Sequence, residues 1–182
     1  MPSQARNQLI LQVDDVNELI GAHTAITGGG VGRPANSQGA AIVRAGVVLL
    51  AAAFEQYVEA VFEEAFPLMY PGASPAEQQQ FYKQTTERFN NADTQKVNFL
   101  FFNLGCPWII ANIRWRKYPS VQVAKHLSWI IATRNSIAHG KQPSIQLKTL
   151  ALAREFILRL AQHMDTAIVN HLTASGHTPP TW

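Results

Sequence analysis

Residues 37–66 read SQGAAIVRAGVVLLAAAFEQYVEAVFEEAF, and the fold turns on how this stretch is taken. Its middle, residues 45–54, is apolar nearly all round, bounded by Arg44 before and Glu55 after. Ten such residues fall short of the roughly 20 that a bilayer-spanning helix needs. A helix that is apolar all round in a water-soluble chain is one surrounded by other helices. The stretch is therefore expected to be the central helix of a bundle, stopping before Pro67.

The flanks continue the helical pattern. Leu9, Val13, Val16, Ile20 and His23 recur at spacings of three and four, predicting a first amphipathic helix that ends at Thr27. The Gly-rich residues 28–34 that follow could suggest a phosphate cradle. No Lys-Ser/Thr follows the glycines and no strand pattern precedes them, so a connection between two helices is expected. Ser74-Pro75-Ala76-Glu77 has the form of a capping box with proline at the first helical position, predicting a third helix to about residue 89. Asn90-Asn91-Ala92-Asp93 is a loop. Thr94 can cap a short helix through Val97, Leu100, Phe101 and Leu104, closed by Gly105, and Pro107 restarts an apolar segment with Trp108, Ile110 and Ile113.

Pro119 and the N-cap candidate Ser120 open another helix, with Val123, Leu127, Ile130, Arg134 and Ile137 on one stripe and Gly140 and Pro143 at its end. A last helix over residues 144–174 presents Leu150, Ala153, Ile157, Leu160, Met164, Ile168 and Leu172 to a core. No strand and no repeat is evident. The expectation is an all-α, up-and-down bundle of about five to six helices. It divides into an N-terminal helix and Gly-rich connection (1–36), the bundle proper (37–174) and a flexible tail (175–182).

Composition narrows the function classes. The chain has 182 residues, enough for one core. Apolar residues make up 47% and charged residues 15%, against a usual charged share of about 25%, which excludes a disordered chain and suggests extra buried surface. The net charge of +3 hides a split. Residues 1–95 carry five basic and ten acidic side chains, net −5; residues 96–182 carry ten basic and two acidic, net +8. The cationic half calls for a polyanionic partner. Cys106 is the only cysteine, so no intramolecular disulfide and no cysteine-based zinc site can form, and residues 1–9 lack a signal-peptide pattern. A cytoplasmic protein without a membrane anchor is expected. Glu55, Glu59 and Glu63 stand at helical spacing, but no histidine completes a metal set beside them, so neither metal nor cofactor is expected.

Arg134 is out of place on an apolar stripe. Burying an unpaired guanidinium costs several kcal/mol, so it must pair, for instance with a glutamate of the first half, or line a cleft that takes an anion. His139 lies five residues on, about 140° away around an ideal helix. The two side chains would converge only if the helix end unwinds near Gly140 or if two subunits share one site. His23, His126, His163 and His171 read as packed or surface histidines. Arg114-Trp115-Arg116-Lys117-Tyr118 interleaves basic and aromatic residues, as proteins that grip single-stranded RNA do, or else forms a surface turn with Trp115 packed inward. Lys141, beside the motif, could contact phosphate.

In its setting between an apolar helix and a long final helix, Arg134-Asn135-Ser136-Ile137-Ala138-His139-Gly140 resembles the Arg-x4–6-His signature of the HEPN superfamily. Ala53-Phe54-Glu55-Gln56-Tyr57-Val58-Glu59 resembles the Phe-Glu-x-Tyr-Val pattern of its RiboL-PSP-HEPN branch, with Asn98-Phe99-Leu100-Phe101 between the two blocks. The resemblance covers about residues 37–174. It implies a small helical bundle that dimerises. It also implies either a metal-independent endoribonuclease used as a toxin or in antiviral defence, or a catalytically silent module binding RNA, a nucleotide or a partner protein. Arg134 and His139 would be the paired active-site residues and Asn135 their polar neighbour, with Glu55 supporting them. Lys141, Arg114, Arg116 and Lys117 would contact RNA. A toxin would have an antitoxin, and a defence effector a partner protein of its system. No nucleotidyltransferase, ligase or ATPase pattern is evident in residues 1–182, so a context drawn from such fusions is not expected.

Overall fold

The computed structural model describes residues 1–28, 37–87, 89–116 and 118–182. These form seven helices: α1 (Gln4–Thr27), α2 (Ser37–Met69), α3 (Pro75–Thr86), α4 (Thr94–Phe102), the single turn α5 (Ile109–Asn112), α6 (Ser120–Ala138) and α7 (Leu147–Ala174). Among the described residues the only strand-like feature is one isolated bridge between Trp115 and Tyr118, so the fold is all-α. The Gly-rich connection predicted at 28–34 lies outside the described residues beyond Gly28, which caps α1 in the left-handed conformation.

Helix α2 is the centre of the bundle, packed by α1, α6 and α7. It is long and apolar enough to cross a membrane by length and composition, yet half of that window is buried in the bundle. Val47, Leu50, Phe54, Val58, Val61 and Phe62 are wholly buried, because apolar surface on every side of a helix is removed from water only by neighbours on every side. Helix α1 runs antiparallel to α2: Gln4 and Ala5 donate backbone N–H groups to Glu64, and Gln12 bonds Gln56 about two turns further back. Helix α7 runs parallel to α2, since Gly46 faces Leu150 while Tyr57 faces Ala161. Leu9, Val13 and Val16 of α1 join the same core as α2 and α7.

Several boundaries moved. Helix α2 runs through Pro67 to Met69 instead of stopping at 66. Pro67 is exposed and sits in the last turn, so only one internal hydrogen bond is lost and water can satisfy the carbonyl left over. The capping box at Ser74 and Glu77 forms in full, but α3 ends at Thr86. Asp93, not Thr94, caps α4 by accepting the Lys96 N–H, and Pro119 occupies the N-cap of α6, whose Ser120 makes no capping bond. In the tail expected to be flexible, Trp182 packs half-buried against the core.

Candidate active site

Residues 91, 134 and 135 meet where the loop before α4 passes the last turns of α6. Arg134 is half-buried, and its Nη1 donates to Asn91 Oδ1 at 2.8 Å and to Asn135 Oδ1 at 3.1 Å. Asn91 holds a left-handed backbone with φ 56°, a conformation asparagine tolerates better than most residues, and its own N–H donates to Glu55 Oε2 at 3.0 Å. Glu55 is thus connected to Arg134 through one residue, without an ion pair. The glutamate–arginine salt bridge considered from the sequence is not formed. Among the described residues the sole ion pair is Arg6–Asp165, at 3.3 Å. Both of Arg134's bonds use Nη1, so among the described residues the edge made by Nε and Nη2 has no partner. That edge is the fork that fits a phosphate or carboxylate in bidentate fashion.

The loop carrying Asn91 is knitted from both sides. Lys96 Nζ reaches both the carbonyl and the side-chain oxygen of Asn90, Asp93 N–H donates to Asn91 O at 2.6 Å, and Ala92 is wholly buried. Sequence reasoning took residues 90–93 as a plain loop and missed Asn91. The available signal was an Asn-Asn pair, a residue type suited to positive φ, directly before a helix whose far neighbour carries the misplaced arginine.

The end of α6 does not unwind. His139 is its C-cap at φ −87° and ψ 19°, Gly140 is left-handed at φ 79°, Gly140 N–H donates to Ile137 O, and Lys141 N–H donates to Ser136 O. This pair of bonds is a Schellman motif, which requires a left-handed residue after the helix and so explains the glycine. Helicity persists to Ala138, so Arg134 and His139 keep their wide angular separation within one chain. No hydrogen bond joins them. His139 and Lys141 are exposed, and among the described residues the His139 side chain has no partner. Gly140→Ala meets open space but would hold a left-handed alanine. It is expected to destabilise the chain by about 1 kcal/mol, read as a lower midpoint in urea; an unchanged midpoint would mean that this turn is not fixed.

The second basic cluster lies elsewhere. Arg114 and Arg116 are exposed at the other end of α6, about 28 Å away along its 19 residues. Lys117 lies outside the described residues. Trp115 and Tyr118 close a tight turn by mutual backbone hydrogen bonds, and both rings pack inward. Trp115 stacks on His163 at 5.0 Å and 5°, and both rings touch Phe156. His126 packs edge-on to Tyr118. The inward-packed alternative therefore describes the aromatics of this segment, and the motif and the basic turn form two separate places.

The glutamates of α2 face one another at helical spacing. Among the described residues no three His, Cys, Asp or Glu side chains come together as a metal would require. Burial, and then repulsion from Glu55, raises the pKa of the half-buried Glu59. An acid whose pKa is raised by folding opposes folding while it is ionised and ceases to do so once protonated. Glu59→Gln is accordingly expected to raise the melting temperature at pH 7 and to leave it unchanged near pH 3, below the usual carboxylate range of about 4. Melting curves at the two pH values check it; an equal gain at both would contradict it. Cys106 is half-buried and its thiol is pushed up to about 11 by burial, so it stays protonated and unreactive near neutral pH.

The described residues thus form an all-α bundle in which an arginine fork is held by two amides near one helix end, with an exposed histidine five residues on and turned away from it. The chain belongs to the RiboL-PSP-HEPN family, whose profile matches residues 13–170. Neither the curated proteins nor the solved structures yield a match.

Proposed function

We propose that the chain is a metal-independent endoribonuclease that works as a homodimer, in a cytoplasmic toxin or antiviral-defence role in which an antitoxin or defence partner restrains it. The observation that carries the reading is the open Nε–Nη2 edge of Arg134, with His139 and Lys141 exposed just beyond it on the same helix end. A two-fold pair with this end at its interface would bring two arginines and two histidines to one cleft, which answers the 140° divergence within one chain. One imidazole takes the proton from the ribose 2′-OH, the 2′-oxygen attacks phosphorus, and the P–O5′ bond breaks. The other imidazole returns a proton to O5′. The products are a 2′,3′-cyclic phosphate and a 5′-OH. Arg134 neutralises the charge that builds on the phosphoryl oxygens, and Asn135 orients the guanidinium. Lys141, Arg114 and Arg116, with Lys117, would hold the flanking backbone.

The test is RNA cleavage in EDTA by the wild-type protein and by His139→Ala, with the end groups identified. Equal activity in the two would remove His139 from the mechanism. A second reading draws on the Schellman motif that holds His139 away from Arg134: a catalytically silent dimer binding RNA, a nucleotide or a partner protein through the same fork. A stable complex with uncleaved RNA, weakening steeply with salt, would decide for it.

A further inference from the structure

Helix α4 presents Gln95, Phe99 and Phe102 along one stripe, and Trp108 stands beside it at the start of α5. Phe99, Phe102 and Trp108 are 70%, 63% and 65% exposed. With Gln95, Asn98 and Pro107 they line one groove of about 410 Å³, without a charged side chain. Water does not favour this arrangement, yet the backbone enforces it. Trp108 adopts a left-handed conformation, φ 62°, which costs a bulky residue about 1 kcal/mol or more. Asn98 Oδ1 accepts the Ile110 N–H at 2.9 Å and fixes α5 against α4, so the groove is formed in advance.

We propose that this aromatic face is where a second copy of the chain docks; the inference rests on the dimeric reading above and adds its interface. Three observations favour a second copy as the occupant. The stripe begins at Gln95, four residues after Asn91, which holds Arg134, so a copy seated there adjoins the loop that carries the arginine's partner. The lining is uncharged, so it meets its own image across a two-fold axis without like-charge repulsion. The area is also of the right order. An aromatic side chain buries about 150–250 Å², so three at two-thirds exposure supply roughly 400 Å². That is half of the approximately 800 Å² per partner in a standard interface. RNA is the poorer occupant, since the nearby Lys96 ammonium is already held by Asn90.

Sedimentation equilibrium of the full chain tests the proposal on the wild type, the double variant Phe99→Ser/Trp108→Ser, and Trp129→Ser. Trp129 is an exposed aromatic in a different groove, between α6 and α7. The wild type and Trp129→Ser are expected to have twice the chain mass. The double variant, with unchanged far-UV circular dichroism, is expected to dissociate at least about tenfold more readily, as loss of a central aromatic anchor implies. A monomeric wild type, a double variant still dimeric, or a double variant that loses RNA binding at unchanged mass would each overturn it. A dimer broken by the double variant in a protein that cuts no RNA would keep the interface and discard the nuclease.

Discussion

His139→Ala is expected to cleave RNA about 10²–10⁴-fold more slowly than the wild type in EDTA, the usual contribution of a positioned acid–base group. Fold and dimer mass should be unchanged. His139 is exposed and has no partner among the described residues, so its removal empties no cavity and orphans none of the hydrogen bonds they make. Arg134→Ala should cost a similar factor for a different reason. It removes the charge at the phosphate and also leaves Asn91 Oδ1 without its donor. Arg134→Lys separates the two effects: lysine restores the charge and one bond, but not a fork with one nitrogen bonded and an edge open. Recovery of charge alone would therefore restore RNA binding before it restores rate. Full activity in Arg134→Lys would show that the bidentate edge is not what the reaction uses.

The parts of this site that follow helical periodicity were legible in the sequence, and the parts that depend on side chains from distant loops were not. Arg134 stood out because an apolar stripe predicts its neighbours, and Val123, Leu127 and Ile130 are indeed buried on that face. Gly140 marked the helix end because a Schellman motif needs a left-handed residue there. Asn91 was illegible, since nothing local says that a loop 43 residues earlier supplies the amide that holds Arg134. The basic-aromatic segment misled for a related reason. Charge and aromaticity show in sequence, whereas the direction of a ring does not, and Trp115 and Tyr118 turn toward Phe156 and His163. The cap positions at Asp93 and Pro119 slipped by one residue because neighbouring polar residues compete for the same role.

Asp165→Ala is expected to destabilise the fold by about 3–5 kcal/mol, the cost of removing one partner from a buried charged network. Asp165 is buried on α7, where periodicity alone expects an apolar residue, and it collects four donors: Ser3 N–H at 3.1 Å, Ser3 Oγ at 3.0 Å, Tyr57 Oη at 2.8 Å and Arg6 Nη1 at 3.3 Å. Its loss strands the wholly buried Tyr57 hydroxyl on the Ala161 carbonyl alone and frees the start of α1 from α7. Burial, followed by the nearby Asp165 carboxylate, raises the Tyr57 pKa well above 10, so this hydroxyl remains a donor at any working pH. Helix α1 is then held mainly by Leu9, Val13 and Val16, and by Glu64 on its first N–H groups, where the helix dipole favours a carboxylate. Burial raises the Glu64 pKa, while the N–H groups of Ala5 and Gln4 that it accepts pull it the other way. Hydrogen exchange should show α1 losing protection first while the α2–α6 contact around Arg134 keeps it. Urea titration gives the magnitude. A change below 1 kcal/mol, or uniform loss of protection across α1 and α6, would show that the Asp165 network does not hold α1 as a separate latch.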